Sequence, residues 1–204
     1  MEQYTGIKFD VIFIQGLVPE FSVCDELTKW GSILADKGCI PTYPNPDDPH
    51  KISSAGNLSM RVGNSFLITA AGSNLGQLSS DDFVEILDVD IERKLIRAIG
   101  IKDPSSETML HGSIYQKRED VHVIFHGHNQ EILKQCGALG LKSTRQWFPY
   151  GTRELVESVC AEMGENEQFL IMKDHGFLSF GKTCQQAGNL VIKVLQKIQN
   201  FAGV

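Results

Sequence analysis

Residues 57–99 constrain the fold more than any other stretch. "NLSMRV" (57–62) and "SFLITA" (65–70) are separated by Gly63-Asn64, a two-residue connection of the kind that closes a β-hairpin. "FVEILDVD" follows and alternates apolar with acidic residues, and "RKLIRAIG" follows that, so the region reads as consecutive strands. Strands joined by tight turns run antiparallel.

Helical periodicity lies on either side. "SVCDELTKWGSILADKGC" (22–39) places Leu27, Trp30, Ile33 and Leu34 on one face, with Ser22 or Asp25 as cap and Gly38 as stop. "SSETMLHGSIYQKR" (105–118) reads as a helix capped by Ser105 or Ser106, with Met109, Leu110 and Ile114 on one face. "NQEILKQCGALG" reads as a helix ending in glycine. "GTRELVESVCAEMG" (151–164) is a further helix with Thr152 as cap, and "CQQAGNLVIKVLQKIQNFA" is an amphipathic closing helix. Short apolar runs complete the pattern as strands: "IKFDVIFIQG" (7–16), "VHVIFHGH", "QFLIMKDHG" and "FLSFG". "PTYPNPDDPHKISSAGN" (41–57) has four prolines and no periodicity, and reads as a loop. The expected fold is one layered α/β domain over residues 1–204, with helices around a central, largely antiparallel sheet rather than a pure βαβ winding.

Composition narrows the function. A net charge of −6 leaves no basic surplus to neutralise phosphates, which argues against a nucleic-acid or acidic-membrane partner. The five cysteines are an odd number with no Cys-x-x-Cys pair, so a reducing, cytoplasmic location is expected. No apolar run approaches the ~18 residues needed to span a bilayer. "MEQYTGIKFD" lacks the basic and apolar regions of a signal peptide.

Three of the six histidines fall in "VHVIFHGHN" (121–129). Residues i and i+2 of a strand face the same way, so His126 and His128 share a side, a common arrangement for binding zinc or a similar divalent ion. His122 has the same parity but lies ~13 Å upstream, too far to share an ion unless the strand bends. His175 also follows an apolar strand and precedes a glycine. Imidazoles at two strand ends can meet as a three-histidine site with a position left open, the catalytic arrangement. Glu107 has two readings. A carboxylate is favoured at a helix start by the N-terminal dipole; near a metal it is also placed to act as a general acid/base. Ser105, Ser106 and free helix N–H groups suit a phosphate. "AGNLS" (55–59) and "TAAGSNLG" (69–76) read as ordinary turns or as anion-cradling loops.

The order "GNLSMR", "LITAAGSNLGQLSSDDFVEI", "PSSETMLHGSIYQKREDVHVIFHGH", "PYGTREL" and "LIMKDHGFLSFG" resembles the class II aldolase/adducin family over roughly residues 22–195. The resemblance implies a three-layer α/β/α fold. It implies one zinc, or another divalent metal, held by His126, His128 and His175, with Glu107 as the proton-moving carboxylate. Gly56, Asn57, Gly72, Ser105 and Ser106 then match the phosphate-binding loops. The implied activity is carbon–carbon lyase chemistry on a small phosphorylated ketose, with a homotetramer as the implied assembly. Epimerase, dehydratase and decarboxylase chemistry use the same kind of site, and the adducin head is a non-catalytic relative. The chain departs from the family in having Ala71 before Gly72, where threonine or serine is frequent, and in a longer 41–55 loop. One family enzyme carries a tyrosine between positions matching His128 and Pro149 and another in its tail. The tail here, "KIQNFAGV", has none.

Overall fold

A computed structural model describes residues 5–45, 48 and 50–202. The readings that touch residues 1–4, 46, 47, 49, 203 and 204 lie, in that part, outside the described residues. The strands are β1 (Asp10–Gln15), β2 (Thr42–Pro44), β3 (Ile52–Ser54), β4 (Asn57–Val62), β5 (Ser65–Thr69), β6 (Phe83–Asp90), β7 (Leu95–Ile99), β8 (Val123–Gly127), β9 (Lys142–Ser143), β10 (Phe169–Met172) and β11 (Gly176–Gly181). The helices are α1 (Val23–Asp36), α2 (Thr108–Lys117), α3 (Gln130–Gln135), α4 (Arg153–Glu162) and α5 (Cys184–Ala202).

Nine strands form one sheet in the order β1-β7-β6-β5-β4-β8-β11-β10-β9. The meander expected over 57–99 is present: β4 to β7 pair in succession, all antiparallel, and Gly63 turns the first hairpin at φ 58°. The sheet as a whole is mixed. Its interior pairings are antiparallel, while β1 joins β7 and β9 joins β10 in parallel at the two edges. The 41–57 loop contains a small second sheet, β2 against β3, with Tyr43 opposite Ser53.

Strand alternation sorts the core into two clusters. Val123 and Phe125 of β8, with Leu58, Leu67, Ile171 and Phe177, pack with Leu27, Trp30 and Leu34 of α1 and Val191 and Val194 of α5. Ile124 of the same strand, with Ile68, Val84, Leu170 and Leu178, packs with Met109, Leu110 and Ile114 of α2 and Leu155, Val156 and Val159 of α4. Gly188 lets α5 lie directly on Trp30, because a Cβ there would sit 2.1 Å from the indole.

Two helix starts differ from expectation. Ser22 makes no side-chain capping bond to α1. Helix α2 begins at Thr108 with Glu107 at its N-cap, so Ser105 and Ser106 precede it. The reason is a competing set of bonds. Pro104 bridges to Ala70, the Ser105 N–H donates to the Thr69 carbonyl at 3.1 Å, and the Ser105 carbonyl accepts from the Thr108 N–H at 3.0 Å. These bonds turn the chain before it can begin the helix. Thr152 caps α4 as expected, its hydroxyl accepting from the Leu155 N–H.

Candidate active site

Neighbouring strands bring distant parts of the sequence to one end of the sheet. Asn57, the first residue of β4, is opposite His126 of β8, and His126 is opposite Leu178 of β11. His175 lies in the turn from β10 to β11, next to Asp174, which takes φ 56°, a conformation aspartate tolerates better than most residues. Close backbone approach is required here. A Cβ on Gly127 would meet the Cys39 carbonyl at 2.6 Å, and one on Gly176 would meet the Gly127 carbonyl at 2.5 Å.

The structure brings His126, His128 and His175 together, the first two from the end of β8 and the third from a second strand end. Their ring centroids are 4.7, 5.3 and 5.2 Å apart pairwise, and one nitrogen from each lies within 4.8 Å of the others. His122 lies outside this group and is exposed. The Glu107 carboxylate, 3% exposed, reaches the same point. Its Oε2 is 3.0 Å from His126 Nε2 and accepts from Asn57 Nδ2 at 3.1 Å, while Oε1 is 3.3 Å from His175 Nε2. That last approach lacks hydrogen-bond geometry, so among the described residues Oε1 is buried without a hydrogen-bond partner.

The His126 ring is fixed from behind. Its Nδ1 is 2.9 Å from the Phe177 carbonyl, which can only accept, so Nδ1 carries the proton and Nε2 faces the cluster. A backbone carbonyl behind an imidazole is the usual way to orient a metal-binding histidine. Burial raises the Glu107 carboxyl, but His126 and His175 outweigh it and hold it well below the usual carboxylate range. Burial, with His126 and His175, pushes His128 well below the ordinary imidazole value and keeps it neutral, the form that binds metal. Three converging imidazoles and a buried carboxylate with a bare oxygen fit a divalent cation.

A cavity of about 340 Å³ opens over this cluster. Gly56, Asn57, Gly72, Ser105, Ser106, Glu107, His126, His128 and His175 line it, so the residues that the family resemblance matched border one space. Their availability differs. Asn57 is bonded to Glu107, and the Ser105 hydroxyl accepts from the Glu107 N–H at 3.4 Å. Gly72 takes φ 73°, and its carbonyl accepts from Ser53 Oγ at 2.8 Å. Among the described residues, the Ser106 hydroxyl has no bonded partner.

Sequence reading missed four residues of this region. Tyr43 and Trp147 line the cavity from segments without periodicity and carry no local signal, while Tyr150 lies in "PYGTREL" but is assigned no role there. His111 is fully buried on α2 and does have a signal, because it lies four residues after Glu107 on the same helical face. Its Nδ1 is 2.7 Å from Ser59 Oγ, which is 2.7 Å from the Tyr115 hydroxyl, while among the described residues Nε2 has no hydrogen-bond partner.

The model of the class II aldolase and adducin N-terminal domain matches residues 50–198. An L-fuculose phosphate aldolase of Methanococcus maripaludis is 31% identical over 155 residues, 69% of this chain and 80% of that protein. A methylthioribulose-1-phosphate dehydratase of Pseudoalteromonas translucida is 35% identical over 104 residues, 51% of this chain and 42% of that protein. A solved L-fuculose 1-phosphate aldolase superposes with a TM-score of 0.71 at 23% identity, covering 91% of this chain and 87% of that one, which shows the fold. The chain therefore belongs to the class II aldolase and adducin N-terminal domain family.

Proposed function

We propose that this chain is a metal-dependent aldolase that cleaves a small ketose 1-phosphate to dihydroxyacetone phosphate and an aldehyde. The observation that carries the reading is the Glu107 carboxylate, buried 3.0 Å from His126 and 3.3 Å from His175, facing the cavity with a bare oxygen. His126, His128 and His175 would hold the ion, taken to be one zinc per chain. A bound divalent ion supplies a Lewis acid that stabilises negative charge developing on the substrate's oxygens. Glu107 takes the proton from the carbon next to the ketone in the bond-making direction and returns it in cleavage. Asn57 keeps that carboxylate aimed. Ser106, with the backbone at Gly56 and Gly72, takes the phosphate. Ser105 supports Glu107 rather than the phosphate.

The relatives' names support a ketose phosphate substrate, since both fuculose phosphate and methylthioribulose 1-phosphate are of that class. The dehydratase similarity favours one second reading, loss of water from a ketose 1-phosphate at the same site. The reading extends to residues 1–204 as a single three-layer domain, with α1, α3 and α5 over one sheet face and α2 and α4 over the other. It also takes the chain as a cytoplasmic homotetramer without nucleic-acid or membrane partners. No helix among the described residues is long and apolar enough to cross a membrane.

The test is a panel of ketose 1-phosphates offered to metal-loaded protein. Release of dihydroxyacetone phosphate supports the aldolase. A product that keeps every carbon but has lost water identifies the dehydratase. Neither product, together with no metal uptake, leaves a non-catalytic domain like the adducin head.

A further inference from the structure

We propose that Tyr43 is a second catalytic residue of this cavity, the group that exchanges a proton with the aldehyde oxygen as the carbon–carbon bond forms or breaks. The assignment rests on the aldolase reading. Bond formation needs proton transfer at two places: one proton leaves the carbon next to the ketone, and another reaches the oxygen of the incoming aldehyde. Glu107 is held against His126, His175 and Asn57 at the histidine cluster, where it serves the first transfer, and the second is assigned to a separate group bordering the cavity.

The cavity contains few groups able to fill the second role. The Tyr150 hydroxyl is held by the Thr5 backbone N–H at 2.7 Å and donates to the Gly6 carbonyl at 3.2 Å. Ser54 Oγ accepts from the Leu75 N–H at 3.0 Å, and Ser105 Oγ from the Glu107 N–H. Ser106 is taken by the phosphate in this reading. Thr42 and Asp174 border the cavity and are solvent-exposed. Tyr43 differs from all of these. It is half-buried and lines the cavity with Glu107 and the three histidines. Among the described residues, its hydroxyl has no hydrogen-bond partner.

The placement is also firm. Tyr43 lies on β2 opposite Ser53, and Ser53 is fully buried with its hydroxyl donating to the Gly72 carbonyl at 2.8 Å. Asn45 Nδ2 donates to the same Ser53 hydroxyl at 2.8 Å. The hairpin carrying Tyr43 is thereby tied to the loop that carries Gly72, and β3 leads within two residues to Asn57. Burial, and then the neighbouring Tyr150, push the Tyr43 hydroxyl above the ordinary phenol value, so it holds its proton until an alkoxide develops beside it.

The step balances. Glu107 carboxylate takes the proton from carbon, and that C–H electron pair becomes the enediolate. The enediolate carbon attacks the aldehyde carbon. The carbonyl π pair moves to the aldehyde oxygen, and the Tyr43 O–H gives its proton to that oxygen. Glu107 then releases its proton to water and the phenolate regains one, so no acid or base is consumed. Cleavage runs the same steps backwards.

The experiment compares Tyr43→Phe with wild type in two assays. The first follows deuterium exchange into dihydroxyacetone phosphate in D₂O, which needs only the Glu107 step. The second follows release of dihydroxyacetone phosphate from the ketose 1-phosphate panel. The expected result is exchange within about twofold of wild type and cleavage reduced by at least ~10²-fold, the scale of a lost general acid–base group. Cleavage at the wild-type rate overturns the proposal and leaves the aldolase reading standing. Equal loss in both assays, with metal bound and fold intact, also overturns it, because Tyr43 would then act on Glu107. A wild type that neither exchanges nor cleaves overturns the aldolase reading itself.

Discussion

Nε2 of His126 lies 3.0 Å from Oε2 of Glu107 while Nδ1 of the same ring is held by the Phe177 carbonyl at 2.9 Å. The ring is therefore committed on one side and charged with a task on the other. Without a cation, the imidazole and the carboxylate are drawn to share a proton. Burial lowers His126, but Glu107 outweighs it and raises the ring above the ordinary value. A divalent ion would replace that proton, so metal binding and proton release are coupled here.

The first prediction follows from that exchange of roles. Elemental analysis of protein purified without chelator is expected to give about one divalent ion per chain, as three imidazoles with an open position bind one metal. The His126→Ala/His128→Ala double variant is expected to hold less than about a tenth of that, since two of three ligands are gone. Wild-type stoichiometry in the double variant places the ion elsewhere.

Glu107→Gln keeps the side chain's size and removes the base. Turnover and deuterium exchange into dihydroxyacetone phosphate are both expected to fall by at least ~10²-fold while the histidines keep the metal. An unchanged exchange rate in a metal-loaded variant shows that another group takes the proton.

The centre was legible in the sequence to the extent that local rules govern it. His126 and His128 share a side because side chains alternate along a strand, and His175 was found because a strand end and a glycine flank it. The Gly63-Asn64 turn and the Thr152 cap are likewise local. What was not legible depends on partners far away in the chain. Tyr43 faces the cavity because β2 pairs with β3 inside a proline-rich segment. β1 pairs in parallel with β7, whose residues come some eighty positions later. The expected start of α2 was wrong because Ser105 is bonded to Thr69, across the sheet end, instead of capping the helix.

His111 gives a pH-dependent prediction. Burial, the largest influence, pushes its imidazole down to about 3, while an unfolded histidine titrates near ~6.5. The unfolded chain therefore takes up the proton first as pH falls. The neutral ring's contribution is complete above pH ~6.5 and is lost progressively as pH drops from there towards the folded value. His111→Gln removes this titration. Its destabilisation is expected to be larger at pH ~7.5 than at pH ~5 by about 2 kcal/mol, read from denaturant unfolding at the two pH values. The same difference at both would mean that the ring takes up its proton as readily in the folded protein as in the unfolded chain.

The last prediction separates two adjacent serines. The Ser105 hydroxyl is 6% exposed at the residue level and accepts from the Glu107 N–H, whereas Ser106 is half-buried, lines the cavity and has no bonded partner among the described residues. A hydroxyl without a partner can donate to a phosphate, and a charge-assisted bond of that kind contributes roughly 1.5–3 kcal/mol. Ser106→Ala is therefore expected to weaken binding of a phosphorylated inhibitor by about tenfold or more, since ~1.4 kcal/mol is a factor of ten. Ser105→Ala is expected to act differently. It leaves the Glu107 N–H without its acceptor, so it should lower the deuterium exchange rate while changing inhibitor affinity less than Ser106→Ala does. Isothermal titration of both variants, alongside exchange measured on the same preparations, decides the matter. Equal loss of affinity in the two variants means that both hydroxyls face the phosphate. Unchanged affinity in Ser106→Ala means that the phosphate is held by the backbone at Gly56 and Gly72 alone.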